Sequence, residues 1–155
     1  MSAFHLPSTT LPAQLTLTHG RPRAGMIYVG ARVPHHDGAE TPLEMLNRRD
    51  PFFPFRADDD EAVLLVAKRQ TIALAVDRAP ITDPDRLSAA KELRLELVLD
   101  NGATLAGWAV VELPEDQSRP LDYLNAAPEP FFAITTDEST HYVNRAHVLF
   151  ARPRD

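Results

Sequence analysis

The chain has 155 residues, no cysteine and a formal net charge of −6. That length suits one ordinary domain or two small ones with a sizeable core, and the lack of thiols excludes disulfides and thiolate chemistry. The acidic balance argues against a nucleic-acid binder, whose affinity comes mainly from cations that neutralise phosphates; no apolar run approaches a bilayer span, so a cytoplasmic protein without membrane attachment is expected.

Residues 1–12 show no periodicity and read as an irregular arm. From residue 13 to 19 apolar and polar residues alternate through Leu15 and Leu17, the period of a half-buried strand. His19-Gly20-Arg21-Pro22 turns the chain into a second strand from Ala24 to Val33, with Gly25 inside it. Glycine within a strand weakens it, so Gly25 is expected to mark a sharp bend. After the loop Pro34 to Gly38, Thr41-Pro42 reads as N-cap and first helical residue, with Glu44 near the positive helix end. So short a helix cannot persist alone in water, and Leu43 and Leu46, three apart, are expected to dock it. Phe52-Phe53-Pro54-Phe55 resumes extended structure. The acidic turn Asp58 to Glu61 then leads into a closing pair of strands, Ala62 to Ala67 and Thr71 to Val76.

Residues 79–92 read as a linker, with a short helix from Pro84 to Lys91. Beyond it the pattern returns. A strand from Leu93 to Leu99, the turn Asp100-Asn101-Gly102 and a strand from Ala103 to Leu113 form a hairpin with Gly107 where Gly25 stood. After the loop Pro114 to Ser118, Pro120-Leu121-Asp122-Tyr123-Leu124-Asn125 repeats Pro42-Leu43-Glu44-Met45-Leu46-Asn47, and Pro130-Phe131-Phe132 repeats Pro51-Phe52-Phe53. Seven identities in the same order mark an internal duplication. Leu121 and Leu124 are again expected to dock the helix. Asp137-Glu138 turns the chain into a last pair, His141 to Asn144 and His147 to Ala151, with Val66-Ala67-Lys68-Arg69 set against Tyr142-Val143-Asn144-Arg145. The first repeat is read as residues 13–78 and the second as residues 93–155.

A hairpin with an L-x-x-G-x-x-x-x-G pattern, a short insertion, a third strand and a closing pair resembles the five-stranded Sm-like barrel, an SH3-like fold. Asp122-Tyr123-Leu124-Asn125 and the ending Asn144 to Val148 resemble the Asp-x-Leu-Asn element and Asn-x-x-x-Ile/Val ending of a bacterial family of small Sm-like proteins. The resemblance implies a mainly β protein with short helices, built as two Sm-like barrels related by a pseudo-twofold axis. At the break before the last strand, RNA-binding Sm proteins carry a short Arg-Gly or Lys-His element. This chain has Lys68-Arg69-Gln70 and Asn144-Arg145-Ala146-His147 there, so the implied RNA pocket is not carried over.

Charge divides unevenly. The first repeat carries nine Lys and Arg against nine Asp and Glu, the second five against ten. Any anion-binding surface is therefore expected in the first repeat, where Arg48, Arg49, Lys68 and Arg69 are the candidates, with Arg21 and Arg23 beside them. His35-His36-Asp37 supplies metal-ligand chemistry, yet adjacent imidazoles on one loop with no third ligand nearby do not make a metal site. No nucleophile, base and acid are spaced as a catalytic set, and no cofactor motif occurs. The reading is a non-enzymatic adaptor, a monomer or homodimer, that binds a protein partner through a barrel edge strand or the groove between repeats. The candidate edges are Thr71 to Val76 and His147 to Ala151. RNA binding through the basic surface of the first repeat is the alternative, and a small-ligand protein or enzyme the third.

Overall fold

The computed structural model describes residues 8–30, 40–60, 62–78, 91–111, 120–126 and 129–154. Loops 34–38 and 114–118, and most of the helix expected over 84–91, lie outside them. The chain is mainly β and divides into two compact units, Met1–Val76 and Asp77–Asp155.

In the first unit the elements are β1 (Ser8–Leu17), β2 (Arg23–Gly30), α1 (Pro42–Asn47), β3 (Phe52–Ala57), β4 (Val63–Ala67), a 3-10 turn at Lys68–Gln70 and β5 (Thr71–Asp77). The strands are antiparallel in the order β5-β1-β2-β3-β4. The second unit follows the same sequence of elements: β6 (Lys91–Leu99), β7 (Thr104–Val111), α2 (Pro120–Ala126), β8 (Phe131–Thr135), β9 (Ser139–Asn144), a 3-10 turn at Arg145–His147 and β10 (Val148–Arg154). Its order, β10-β6-β7-β8-β9, is the same arrangement, with the last strand beside the first. The core of the first unit holds Leu15, Ile27, Phe55, Ile72 and Leu74; that of the second holds Leu95, Leu97, Phe131, Ile134 and Val143. Within each unit the two end strands are not paired with each other among the described residues.

The two units use the same devices. Gly20 and Gly102 turn the first hairpin of each with φ of 90° and 88°, a conformation that favours glycine. A Cβ on Gly25 would lie 2.3 Å from Arg56 O, and one on Gly107 would lie 2.4 Å from Thr135 O. Both glycines let the second strand press against the main chain of the third. The 3-10 turns are anchored alike. Lys68 N donates to Pro51 O at 2.9 Å and Arg145 N to Pro130 O at 2.8 Å; Thr18 N donates to Gln70 O and Asp100 N to His147 O, both at 2.9 Å.

Several boundaries and alignments differ from the sequence reading. β1 starts at Ser8, inside the segment read as an arm. Pro12 is tolerated because β1 meets β5 only from Gln14 onward, so this stretch has β2 on one side and needs no second ladder. β6 starts at Lys91 because the hairpin ladder extends to the pairs Lys91 with Val111 and Glu92 with Val110. The ladders set Ala67 opposite Phe52 and Asn144 opposite Phe131. Lys68 therefore corresponds to Arg145, one position away from the alignment by residue type.

The helices also dock differently. Thr41 and Glu44 form a complete capping box: Thr41 Oγ1 accepts from Glu44 N at 3.1 Å and Glu44 Oε1 from Thr41 N at 2.9 Å. The buried face of α1 is Pro42, Met45 and Leu46, an i, i+3, i+4 set, while Leu43 is half-buried. In α2, Leu121 is 68% exposed and Leu124 half-buried. Leu121 occupies the Leu43 position, off the docking face. Tyr123, at the Met45 position, meets the Phe132 ring edge-on, 6.1 Å between centroids.

Candidate functional site

The four cations expected to form one basic surface are placed in different environments. Lys68 is buried, at 8% exposure. Its ammonium donates to Met45 O and Arg48 O, both at 3.0 Å, and so adds a cation at the C-terminal end of α1, where Met45 O also accepts from Arg48 N at 3.4 Å. Burial pushes its pKa below the ordinary lysine range and nearby Arg48 adds to this, while Asp50 and Glu40 oppose it. Arg48 pairs with buried Glu40 at 3.0 Å. Glu40 in turn accepts from Gly30 N at 3.1 Å, and its own N–H donates to Gly30 O at 2.7 Å. Arg49 and Arg69 are exposed. Two of the four cations, Lys68 and Arg48, thus make contacts that hold the fold together, and Lys68 is withdrawn from the surface.

The second unit meets the same need with a different cation. Arg145, the counterpart of Lys68, donates to Leu124 O at 2.6 Å and to Glu129 O at 3.0 Å, with its guanidinium 4.8 Å from the Phe132 ring centre. Tyr123 has a raised pKa through burial, opposed by Arg145, and burial lowers that of His141. Asn47 is half-buried at the end of α1 and Asn125 is exposed at the end of α2. A cavity of about 510 Å³ in the first unit is lined by His19, Arg21, Arg23, Asp58 and Asp59 among others. Its cations and carboxylates balance, and it shows no electrostatic preference for an anion.

The described residues bring no three His, Asp or Glu side chains together as a metal-ligand set; His35-His36-Asp37 lies outside them. No described helix is long and apolar enough to cross a membrane. Comparison of the chain with models of known protein families, with curated proteins and with solved structures gives no match.

What the fold does present is two strands at unit edges with apolar side chains in solvent. β4 pairs with β3 and ends the strand order of its unit; Val63 and Leu65 on it are 45% and 69% exposed, and Phe52 of neighbouring β3 is 56% exposed. β10 pairs with β6 at the other end of the strand order, the position that β5 holds in the first unit, and its Leu149 and Phe150 are 62% and 46% exposed. β5, one of the two strands expected to dock a partner, is buried from Thr71 to Leu74 and offers no such surface.

Beside β10 lies a group that sequence reasoning missed. Arg152 and Arg154 both donate to Glu96, each at 2.8 Å, and Arg78 and Arg94 approach the ring of Trp108 at 5.3 and 5.5 Å. The available signal was the i, i+2 spacing of Glu92, Arg94 and Glu96 on one strand and of Arg152 and Arg154 on another.

Proposed function

We propose that the chain is a duplication of an Sm-like, SH3-like barrel unit and acts as a non-enzymatic adaptor that docks a protein partner along an edge strand. Support for the first part is the shared strand order of the two units, the close approach of Gly25 and Gly107 to the third strand, and the 3-10 turn before each last strand. The observation that carries the second part is the exposure of Leu65 on β4 and Leu149 on β10, at unit edges. Solvent-exposed apolar residues on an unpaired strand edge favour the addition of another strand, which satisfies the free N–H and C=O groups and covers the side chains together.

Affinity capture from the native cell followed by hydrogen exchange tests this reading. Amides of β4 or β10 are expected to slow on binding of the captured protein. Protection confined to other segments refutes edge docking.

A further inference from the structure

β10 carries more information about its partner than β4 does. Ladder register places Arg152 opposite Glu96 and Arg154 opposite Arg94, and Arg94 in turn opposite Trp108. Residues alternate between sheet faces, so Phe150, Arg152 and Arg154 share a face with Glu96, Arg94 and Trp108, while Ala151 and Pro153 share the other; exposed Leu149 lies at the register shift between Val148 and Phe150. The cationic face holds four arginines, Arg78, Arg94, Arg152 and Arg154, against Glu92 and Glu96. The whole unit, residues 77–155, carries eight Lys and Arg against fourteen Asp and Glu, so cations are gathered here against the balance of the unit. Glu96 is one carboxylate serving two guanidiniums, and each uses one nitrogen for it. The Arg152 and Arg154 side chains remain 61% and 60% exposed, and the Arg94 to Glu92 pair is loose at 3.7 Å between exposed groups.

We propose that β10 docks an extended peptide whose alternate residues are acidic, with apolar residues between them. This rests on the edge-strand reading above and names the strand and the chemistry. The acidic side chains of the added strand meet Arg152 and Arg154, where guanidinium and carboxylate match in bidentate geometry. The apolar ones lie on the opposite face, beside half-buried Ala151 and exposed Pro153. Pro153 can donate no hydrogen bond, so the main chain upstream of it holds the added strand. A polynucleotide has no ladder of N–H and C=O groups to offer this edge.

Fluorescence anisotropy of the full chain with a labelled synthetic octapeptide of alternating glutamate and valine tests the proposal. Saturable binding is expected, with none for the matching lysine and valine peptide. The triple variant Glu96→Gln, Arg152→Gln, Arg154→Gln, which removes the charges without stranding Glu96, is expected to weaken binding by about tenfold or more with an unchanged far-ultraviolet spectrum. Ala151→Pro is expected to weaken it by removing an edge N–H, and Arg49→Gln to leave it unchanged. Three results overturn the proposal: equal binding by the triple variant, preference for an oligothymidylate, or self-association of the chain that Leu149→Lys abolishes, which makes a second copy the occupant. Peptide that protects β4 and ignores the triple variant refutes β10 while leaving edge docking intact. Edge docking itself fails only when the natural partner protects neither strand.

Discussion

Gly25→Ala tests the close approach that shapes the first unit. The new Cβ would sit 2.3 Å from Arg56 O and 2.6 and 2.8 Å from atoms of the buried Phe55 ring, where real Cβ contacts stay above 3.0 Å. The nearest atom belongs to the main chain of β3, so relief requires β2 and β3 to separate at the pairs Gly25 with Ala57 and Met26 with Arg56. Overpacking of this kind costs about 1–3 kcal/mol, and each weakened ladder bond adds about 1 kcal/mol. The lower entropy of the unfolded alanine chain offsets about 0.4–1 kcal/mol. A net loss of about 3 kcal/mol is expected. Gly20→Ala provides the comparison, because its φ is 90° but nothing lies within 4 Å, leaving only left-handed strain of about 1–2 kcal/mol. Urea unfolding followed by far-ultraviolet circular dichroism measures both. For Gly107→Ala the single Trp108 reports on the second unit directly, and a loss like that of Gly25→Ala is expected. A Gly25→Ala midpoint no lower than that of Gly20→Ala would refute the steric argument.

Two further expectations concern the helices. Lys68→Met leaves Met45 O and Arg48 O without their charged donor and is expected to destabilise by about 2 kcal/mol at neutral pH in the same assay. Because the folded pKa of Lys68 lies below the ordinary value, the unfolded chain holds the extra proton between that pKa and about 10.4. The wild type should therefore gain on Lys68→Met as pH rises through that window, and a shrinking difference would contradict the burial assignment. Leu46→Ala, at a fully buried site, is expected to cost about 2–5 kcal/mol, whereas Leu121→Ala, at an exposed one, should fall within about 0.5 kcal/mol of the parent; equal losses would show that Leu121 docks α2 after all.

Local chemistry made much of this fold legible. The alternation at Leu15 and Leu17, the turn at Asp100-Asn101-Gly102, the cap at Thr41 and the glycines at 25 and 107 each act through neighbours in sequence or through a close approach that a Cβ would block. Residues whose role depends on distant partners were not legible. Lys68 reads as a surface cation until its acceptors, 23 and 20 residues away, are known. Its correspondence with Arg145 was hidden because the identical letters Arg69 and Arg145 align more readily than the ladder positions. The docking face of α1 was placed on Leu43 and Leu46, since either of two i, i+3 sets fits so short a helix. The arginine face near β10 depends on the register of β10, β6 and β7, which no one strand encodes.

The placement of the last strand of each unit beside its first has a kinetic consequence. Leu15 of β1 pairs with Leu74 of β5, and Leu97 of β6 with Ala151 of β10, so each unit is completed across nearly its whole length. Local hairpins form early, but pairings between distant segments must wait and are slow. On the ribosome, β1 and β2 emerge as a hairpin whose second edge and whose Leu15 stay open until β5 has been made. A chain stalled before Thr71 would carry that open edge into a crowded surrounding, where neighbouring nascent chains can capture it.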